Sequence, residues 1–139
     1  MTSQAKVHEF AMEQMNRLLA TLGDRVQKAA RKPGPAEIHD LRVSIRRFTQ
    51  GLQLFDDFFP PSQVKKIRTS LKSLMRLTSA IRDRDITLEY LEQAGEAAQK
   101  PKIQKERSGY QRQFSQMLRR WRTQGFQDKW RSGLALPGA

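Results

Sequence analysis

A histidine and three arginines stand close together in the stretch 38–48, which reads IHDLRVSIRRF. His39, Arg42 and Arg46 are separated by steps of three and four residues. At roughly 100° of rotation per residue, this spacing places the three side chains in one stripe along an α-helix. Cationic side chains held side by side repel one another unless an anion lies among them, and arginine binds phosphate through two parallel hydrogen bonds. The stripe therefore predicts either an anion-binding surface or an ordinary solvated charged face.

The helix that carries this stripe must bury its other side. Its apolar residues also recur at steps of three and four, which is the spacing of a helix packed against a core. They are Ile38, Leu41, Ile45, Phe48, Leu52 and Phe55. The basic stripe is thus expected on the flank of a buried face.

A second helix repeats this design 26 residues later. Its core positions are Val64, Ile67, Leu71, Leu74, Thr78 and Ile81, with Thr78 alone interrupting the apolar series. Its flank carries Lys65, Arg68, Lys72 and Arg76. If the two helices form an antiparallel hairpin with their apolar faces together, both basic stripes lie on the same side of the pair. Chance and the common use of lysine and arginine on helix surfaces are the alternative explanation.

Composition restricts the possible partners. The chain has 139 residues, 26 basic and 14 acidic, which gives a net charge of +12 and a pI near 10.7. Such a charge favours nucleic acid, anionic lipid or a phosphate polymer as partner. The absence of cysteine excludes disulfides, zinc-thiolate sites and thiol catalysis. No apolar run is long enough for a membrane span, and the N-terminus does not resemble a signal peptide, so a cytoplasmic location is expected.

Prolines and glycines, together with a junction at the aspartate-containing segment 81–86, divide the chain into five predicted helices, over about 5–32, 36–58, 63–81, 82–98 and 102–124. Ser62 is the predicted cap of the third helix. Asp83 and Asp85 suit the first turn of the fourth helix, or pair with Arg82 or neighbouring arginines. The expected fold is all-α, an antiparallel bundle of four to five helices. It forms a single domain over residues 1–131, followed by a flexible tail over residues 132–139. The chain is expected to pack loosely from about Trp130 onward.

Three motifs in this order resemble the CHAD family, the conserved histidine α-helical domains. They are HDLRVSIRR at 39–47, LKSL at 71–74 and RDRDI at 82–86, and the resemblance covers about residues 36–95. It implies an all-helical domain that binds inorganic polyphosphate, or a similar phosphate-rich polyanion, through basic side chains and without catalysis. Association with polyphosphate granules would follow. Neither a cofactor nor a metal ion is expected.

The resemblance and the two stripes together define the candidate contacts. The family's histidine, arginines and lysine correspond to His39, Arg42, Arg46, Arg47, Lys72 and Arg82, with the Arg-Asp-x-Asp motif completed by Asp83 and Asp85. The stripes add Lys65, Arg68 and Arg76, and Arg84 is a flanking contact. Arg112 and Arg119 on the last helix are candidates for extending the groove.

Two departures from the family pattern stand out. Thr78 and Ser79 occupy the places where the family commonly has Leu-Gly, so the local geometry is expected to differ. Family members usually contain two related helical halves, and no second His-x-x-Arg segment follows Pro101. The chain resembles one half-length unit, and a homodimer is the expected way of covering its exposed surface.

Other functions remain open at this stage. The charge suits a nucleic-acid-binding protein, although the basic stripes lack interleaved aromatic residues. A scaffold with a solvated basic face is a further alternative. His8, His39-Asp40 and then Asp83 or Asp85 follow the residue order of HD-type metal phosphohydrolases, but Arg42 and Arg46 would crowd a divalent cation.

Overall fold

The computed structural model describes residues 2–138, and Met1 and Ala139 lie outside this range. Within it the chain forms five α-helices and no strand. The helices are α1 (Ser3–Arg31), α2 (Pro35–Leu54), α3 (Pro61–Ala94), α4 (Lys100–Thr123) and α5 (Phe126–Gly133), with a short 3₁₀ turn at Asp56–Phe58. The predicted all-α helical bundle is confirmed.

The predicted break between the first two helices is also present. Pro33 and Gly34 separate α1 from α2, and Pro35 is the first residue of α2, where its missing N–H costs no hydrogen bond. The second helix was expected to continue to about residue 58, but it ends at Leu54 and gives way to the 3₁₀ turn. Ser62 is not the cap of the next helix, because α3 already begins at Pro61.

The third and fourth predicted helices are in fact one helix, α3, of 34 residues. No proline or glycine interrupts the chain between Pro61 and Gly95, so nothing in the sequence stops the helix at Ile81. Gly95 ends it with a φ of 70°, a left-handed conformation that favours glycine. Asp83 and Asp85 therefore lie in the interior of a helix and do not complement a helix N-terminus.

The core lies between α1, α2, the first half of α3 and the end of α4. The predicted core residues of α2 and α3 are buried, except that Phe55 is only half-buried. Helices α1 and α2 approach closely at Gly51, where an added Cβ would lie 2.7 Å from Met15 Sδ. The bundle thus buries the apolar face of α2 and leaves its basic flank at the surface.

The C-terminal segment packs more tightly than expected. Trp130 on α5 stacks on Phe48 of α2, with ring centroids 5.9 Å apart. Leu134 and Leu136, which follow α5, are buried in the same core. The structure therefore differs from the expected loose tail at these three residues, because their large apolar side chains gain free energy by leaving water.

Candidate anion-binding face between α2 and α3

Helices α2 and α3 run antiparallel, which sets the register of their basic stripes. Arg42 on α2 contacts Thr78 and Ser79 on α3. Two turns later along α2, Gln50 lines the same cavity as Arg68. Residue numbers thus rise along α2 as they fall along α3, as the predicted hairpin requires.

Arg42 lies partly buried at the end of this face that is next to Thr78 and Ser79 of α3. Its Nη1 donates hydrogen bonds to Thr78 Oγ1 and Ser79 Oγ, both at 2.8 Å, and lies 3.4 Å from the carbonyl oxygen of Met75. The Thr78 side chain is fully buried. In the sequence, both residues are departures from the family pattern, and Thr78 is also the one polar residue in the apolar series of α3. This polar residue at a core position was the signal for a polar partner.

Positive charges surround Arg42. Burial lowers the pKa of Arg42 below the ordinary arginine value, the charges of Arg46 and then Arg82 lower it further, and Asp83 raises it. Arginine nevertheless remains charged at neutral pH. The three guanidinium groups therefore form a region of unfavourable positive potential that an anion would relieve.

A cavity of about 270 Å³ continues the face away from Arg42. Arg46, Arg68 and Lys72 line it from both helices, above an apolar floor of Ile45, Leu71 and Met75. The structure thus brings together one arginine of the α2 stripe and two cations of the α3 stripe. A low-dielectric floor beneath exposed cations strengthens their attraction for an anion.

A larger cavity of about 630 Å³ shares Arg68 and Lys72 with the first and adds Lys65. Asp56 and Asp57, from the 3₁₀ turn, also line it. The sequence interpretation did not consider these carboxylates. They make this end of the face less favourable for a polyanion than the end near Arg42.

The remaining residues of the two stripes lie along the same flank. His39 precedes Arg42 by three residues and is exposed. Arg76 follows Lys72 by four residues and is exposed, as is Arg82. Helical periodicity keeps His39 with Arg42 and Arg76 with Lys72.

Two other arginines that were predicted to contact the anion, Arg47 and Arg84, do not contribute to the face between α2 and α3. Arg47 lies about 100° further round α2 than Arg46, so it leaves the flank that faces α3. Arg84 turns to α4, where its Nε is 3.4 Å from Glu106 Oε1 and its guanidinium lies 4.8 Å from the centre of the Tyr110 ring. Neither arginine belongs to the α2–α3 face.

Arg112 and Arg119 do not extend the face either. They line a shallow groove formed by α4 alone, together with Ser108, Gln111, Ser115 and Gln116. No residue of α2 or α3 lines this groove. The two arginines therefore provide a basic surface separate from the candidate site.

The residues of the alternative metal site are dispersed. His8 packs edge-on against Phe58, with ring centroids 5.1 Å apart, and Asp85 forms an ion pair with Arg107. Across residues 2–138, no three His, Cys, Asp or Glu side chains gather in a way that could hold a metal ion. The residue order that resembled HD-type phosphohydrolases is not accompanied by their spatial arrangement.

No helix in the described part of the chain combines the length and apolar character needed to cross a membrane.

Comparison with known proteins agrees with the three motifs. No curated protein and no solved structure shows significant similarity to the chain. The family model described as "CHAD domain" matches residues 13–139, well beyond the stretch that carries the motifs. Because the match spans nearly the whole chain, the protein belongs to the CHAD domain family.

Proposed function

We propose that the protein binds inorganic polyphosphate, without catalysis, on the face between α2 and α3. The CHAD family is associated with polyphosphate binding and is generally non-catalytic. The observation that supports the assignment most strongly is that Arg46 of α2 and Arg68 and Lys72 of α3 line one cavity between the two helices. Within residues 2–138, no hydrogen bond or ion pair to a carboxylate occupies these three cations.

Polyphosphate suits this arrangement chemically. It carries negative charge on every phosphoryl unit and has no base edges, so a receptor needs only spaced cations and charge-assisted hydrogen bonds. Arginine supplies two parallel hydrogen bonds and lysine supplies a mobile point charge. Binding releases counterions and should weaken as the salt concentration rises.

The proposed contacts run along both helices. They are His39, Arg42, Arg46, Lys65, Arg68, Lys72, Arg76 and Arg82. Arg47 is left out because helix periodicity turns it away from this flank, and Arg84 because it contacts Glu106 and Tyr110 of α4. A polyanion would lie along the α2–α3 groove, with its tightest contacts near Arg42 and Arg46.

A titration of long-chain polyphosphate against matched variants tests the proposal. The Arg42→Ala, Arg46→Ala variant should bind at least about 100-fold more weakly than the wild type, because hydrogen bonds to charged groups contribute about 1.5–3 kcal/mol each. The control is Arg112→Ala, Arg119→Ala, which removes the same charge from α4 and should bind nearly as tightly as the wild type. Equal losses in both variants would contradict the proposed site, since net charge alone would then explain binding.

RNA of matched charge distinguishes polyphosphate from nucleic acid as the partner. The proposed face has no exposed aromatic platform on which bases could stack, so RNA should compete poorly. Displacement of polyphosphate by an equal charge of RNA would favour a general polyanion-binding or nucleic-acid-binding function. In cells, polyphosphate binding predicts that a fluorescent fusion of the protein collects at cytoplasmic polyphosphate granules.

We also propose that two copies of the chain pair through an apolar patch where α1 begins and α2 ends. Leu54, Phe10 and Val7 are 74%, 54% and 49% exposed there. Asp56 and Asp57, next to Leu54 in the chain, offset part of the basic charge that would otherwise keep two copies apart. The patch thus favours a second copy as its occupant.

Light scattering on the purified protein tests the pairing. The wild type should have the mass of a dimer, and Leu54→Glu should shift it to the monomer mass, because a buried unpaired carboxylate destabilises an interface. A wild type that stays monomeric over a wide concentration range would contradict the dimer. It would not affect the proposed polyphosphate site.

A further inference from the structure

Arg42 is held by hydroxyl groups and not by a carboxylate. Its Nη1 donates to Thr78 Oγ1 and to Ser79 Oγ, each at 2.8 Å. The Thr78 hydroxyl donates its own proton to the carbonyl oxygen of Met75, at 2.9 Å. A hydroxyl has a single proton to donate, so this bond orients the Thr78 oxygen as an acceptor for Arg42.

The identity of these acceptors matters for the charge of Arg42. A carboxylate partner would fix the guanidinium and also neutralise it, as in ordinary ion pairs. Two neutral hydroxyls fix its orientation and leave its positive charge available. Arg46 and Arg82 add to this charge, and Asp83 opposes it. The contact thus orients a cation without satisfying its charge.

The hydrogen bonds also decide which edge of the guanidinium is available. The guanidinium of Arg42 makes its three polar contacts with α3 through Nη1. In residues 2–138, neither Nε nor Nη2 donates a hydrogen bond to the protein. These two nitrogens form one edge of the planar fork, the edge that can bind two oxygens of a phosphate side by side.

We propose that Thr78 and Ser79 are positioning residues for polyphosphate, which hold Arg42 by Nη1 so that its Nε–Nη2 edge meets two phosphoryl oxygens. This inference rests on the proposed function. Their contribution is preorganisation, because an arginine that is already oriented loses less side-chain entropy on binding. The two positions where the chain departs from the Leu-Gly pattern thereby acquire a role.

The test removes the hydroxyls and keeps the arginine. Thr78→Val preserves the shape of the side chain, and Ser79→Ala removes only an oxygen. The double variant should bind long-chain polyphosphate about 3- to 10-fold more weakly, which is the effect of ordering one long side chain on binding. The matched control is Thr87→Val, which removes a hydroxyl that bonds its own helix at Asp83 O (2.8 Å) and should leave affinity unchanged.

A double-mutant cycle shows whether the hydroxyls act through Arg42. In an Arg42→Ala background, the same two substitutions should cause no further loss of affinity. A loss that persists in this background would overturn the inference, because it would show an effect on the fold or on other contacts. Thr78→Ser, which keeps the hydroxyl, should retain near-wild-type affinity.

The outcomes separate this inference from the proposed function. If Arg42→Ala weakens binding and the double hydroxyl variant does not, the positioning role is wrong and the proposed site stands. If neither change affects binding, the proposed site itself is contradicted. Should the double variant unfold, Ser79→Ala alone serves as the test, because Ser79 is only partly buried. It should still show a measurable loss that disappears in the Arg42→Ala background, and an unchanged affinity would reject the inference for Ser79.

Discussion

The charged residues of α3 have different partners in its first half, taken as Pro61 to Arg82, and in its second half, Asp83 to Ala94. Along the first half, which faces α2, Arg68 and Lys72 line a cavity with Arg46, and no carboxylate lines that cavity. Along the second half, which faces α4, Arg84 pairs with Glu106 and Asp85 pairs with Arg107. The same helix therefore carries unpaired cations on one part of its length and ion pairs on another.

This difference shows why net charge alone does not locate an anion site. Paired cations are already stabilised by their carboxylates, and an incoming polyanion would have to displace those partners. Unpaired cations near one another are mutually destabilised, and an anion relieves the repulsion. The first half of α3 is thus the better candidate although both halves carry arginines.

Removing two cations from the α2–α3 cavity and, separately, two from the α3–α4 ion pairs gives the largest expected contrast. Arg68→Ala, Lys72→Ala should weaken polyphosphate binding by about 10- to 100-fold, since each charged contact contributes on the order of 1 kcal/mol or more. Arg84→Ala, Arg107→Ala removes the same charge and should change affinity by less than about 3-fold, as expected for long-range charge alone. Isothermal titration at two salt concentrations measures both. A larger loss in the second variant would reverse the assignment of the two halves.

A carboxylate introduced on α2 beside Arg46 should form an ion pair in the α2–α3 cavity. The cavity would then resemble the α3–α4 contact, where the arginines are already paired. Gln50 lies four residues after Arg46 and lines the same cavity, so Gln50→Glu is placed to form an ion pair with this arginine. We expect polyphosphate affinity to fall about 3- to 10-fold, because each gained anionic charge opposes the ligand. Gln50→Ala is the control and should have little effect. An unchanged affinity for Gln50→Glu would show that the cavity is not part of the site.

The smallest expected effect is on stability, and it concerns the ion pair between Asp85 of α3 and Arg107 of α4. Asp85→Asn should lower the free energy of unfolding by about 0.5–1 kcal/mol, because the pair with Arg107 is partly exposed to solvent. Polyphosphate affinity should not fall, since the freed guanidinium lies on α4. Chemical denaturation measures the stability and titration measures the affinity. A fall in affinity without a change in stability would mean that the α3–α4 region contributes to binding.

Much of the fold follows from local pattern. The steps of three and four from Ile38 to Leu52 and from Val64 to Ile81 identify the buried faces of α2 and α3 correctly, because helix geometry alone converts this spacing into one face. The break at Pro33-Gly34 is equally local. In contrast, a helix boundary between Ile81 and Asp83 rested on the preference of acidic residues for helix N-termini, which is weak when no helix breaker is present.

The candidate site, like the fold, could be predicted only in part from local sequence pattern. Periodicity identifies which cations share a flank, as for Arg42 with Arg46 or Arg68 with Lys72. It does not show that Arg84 turns to Glu106, nor that the hydroxyls of Thr78 and Ser79 receive Arg42, because these partners lie on different helices. Such pairings depend on how the helices pack.

The order of residues along the chain is sufficient to specify the helical character, the buried faces, the basic flanks and the three family motifs, since each depends on neighbours within a few turns. Tertiary packing decides which cations are neutralised and which remain available. It also decides the burial of Leu134 and Leu136 against helices distant in sequence. The physical reason is that hydrogen bonds and ion pairs between helices act over a few ångströms in space, while the separations along the chain that bring them together range from about 20 to more than 100 residues.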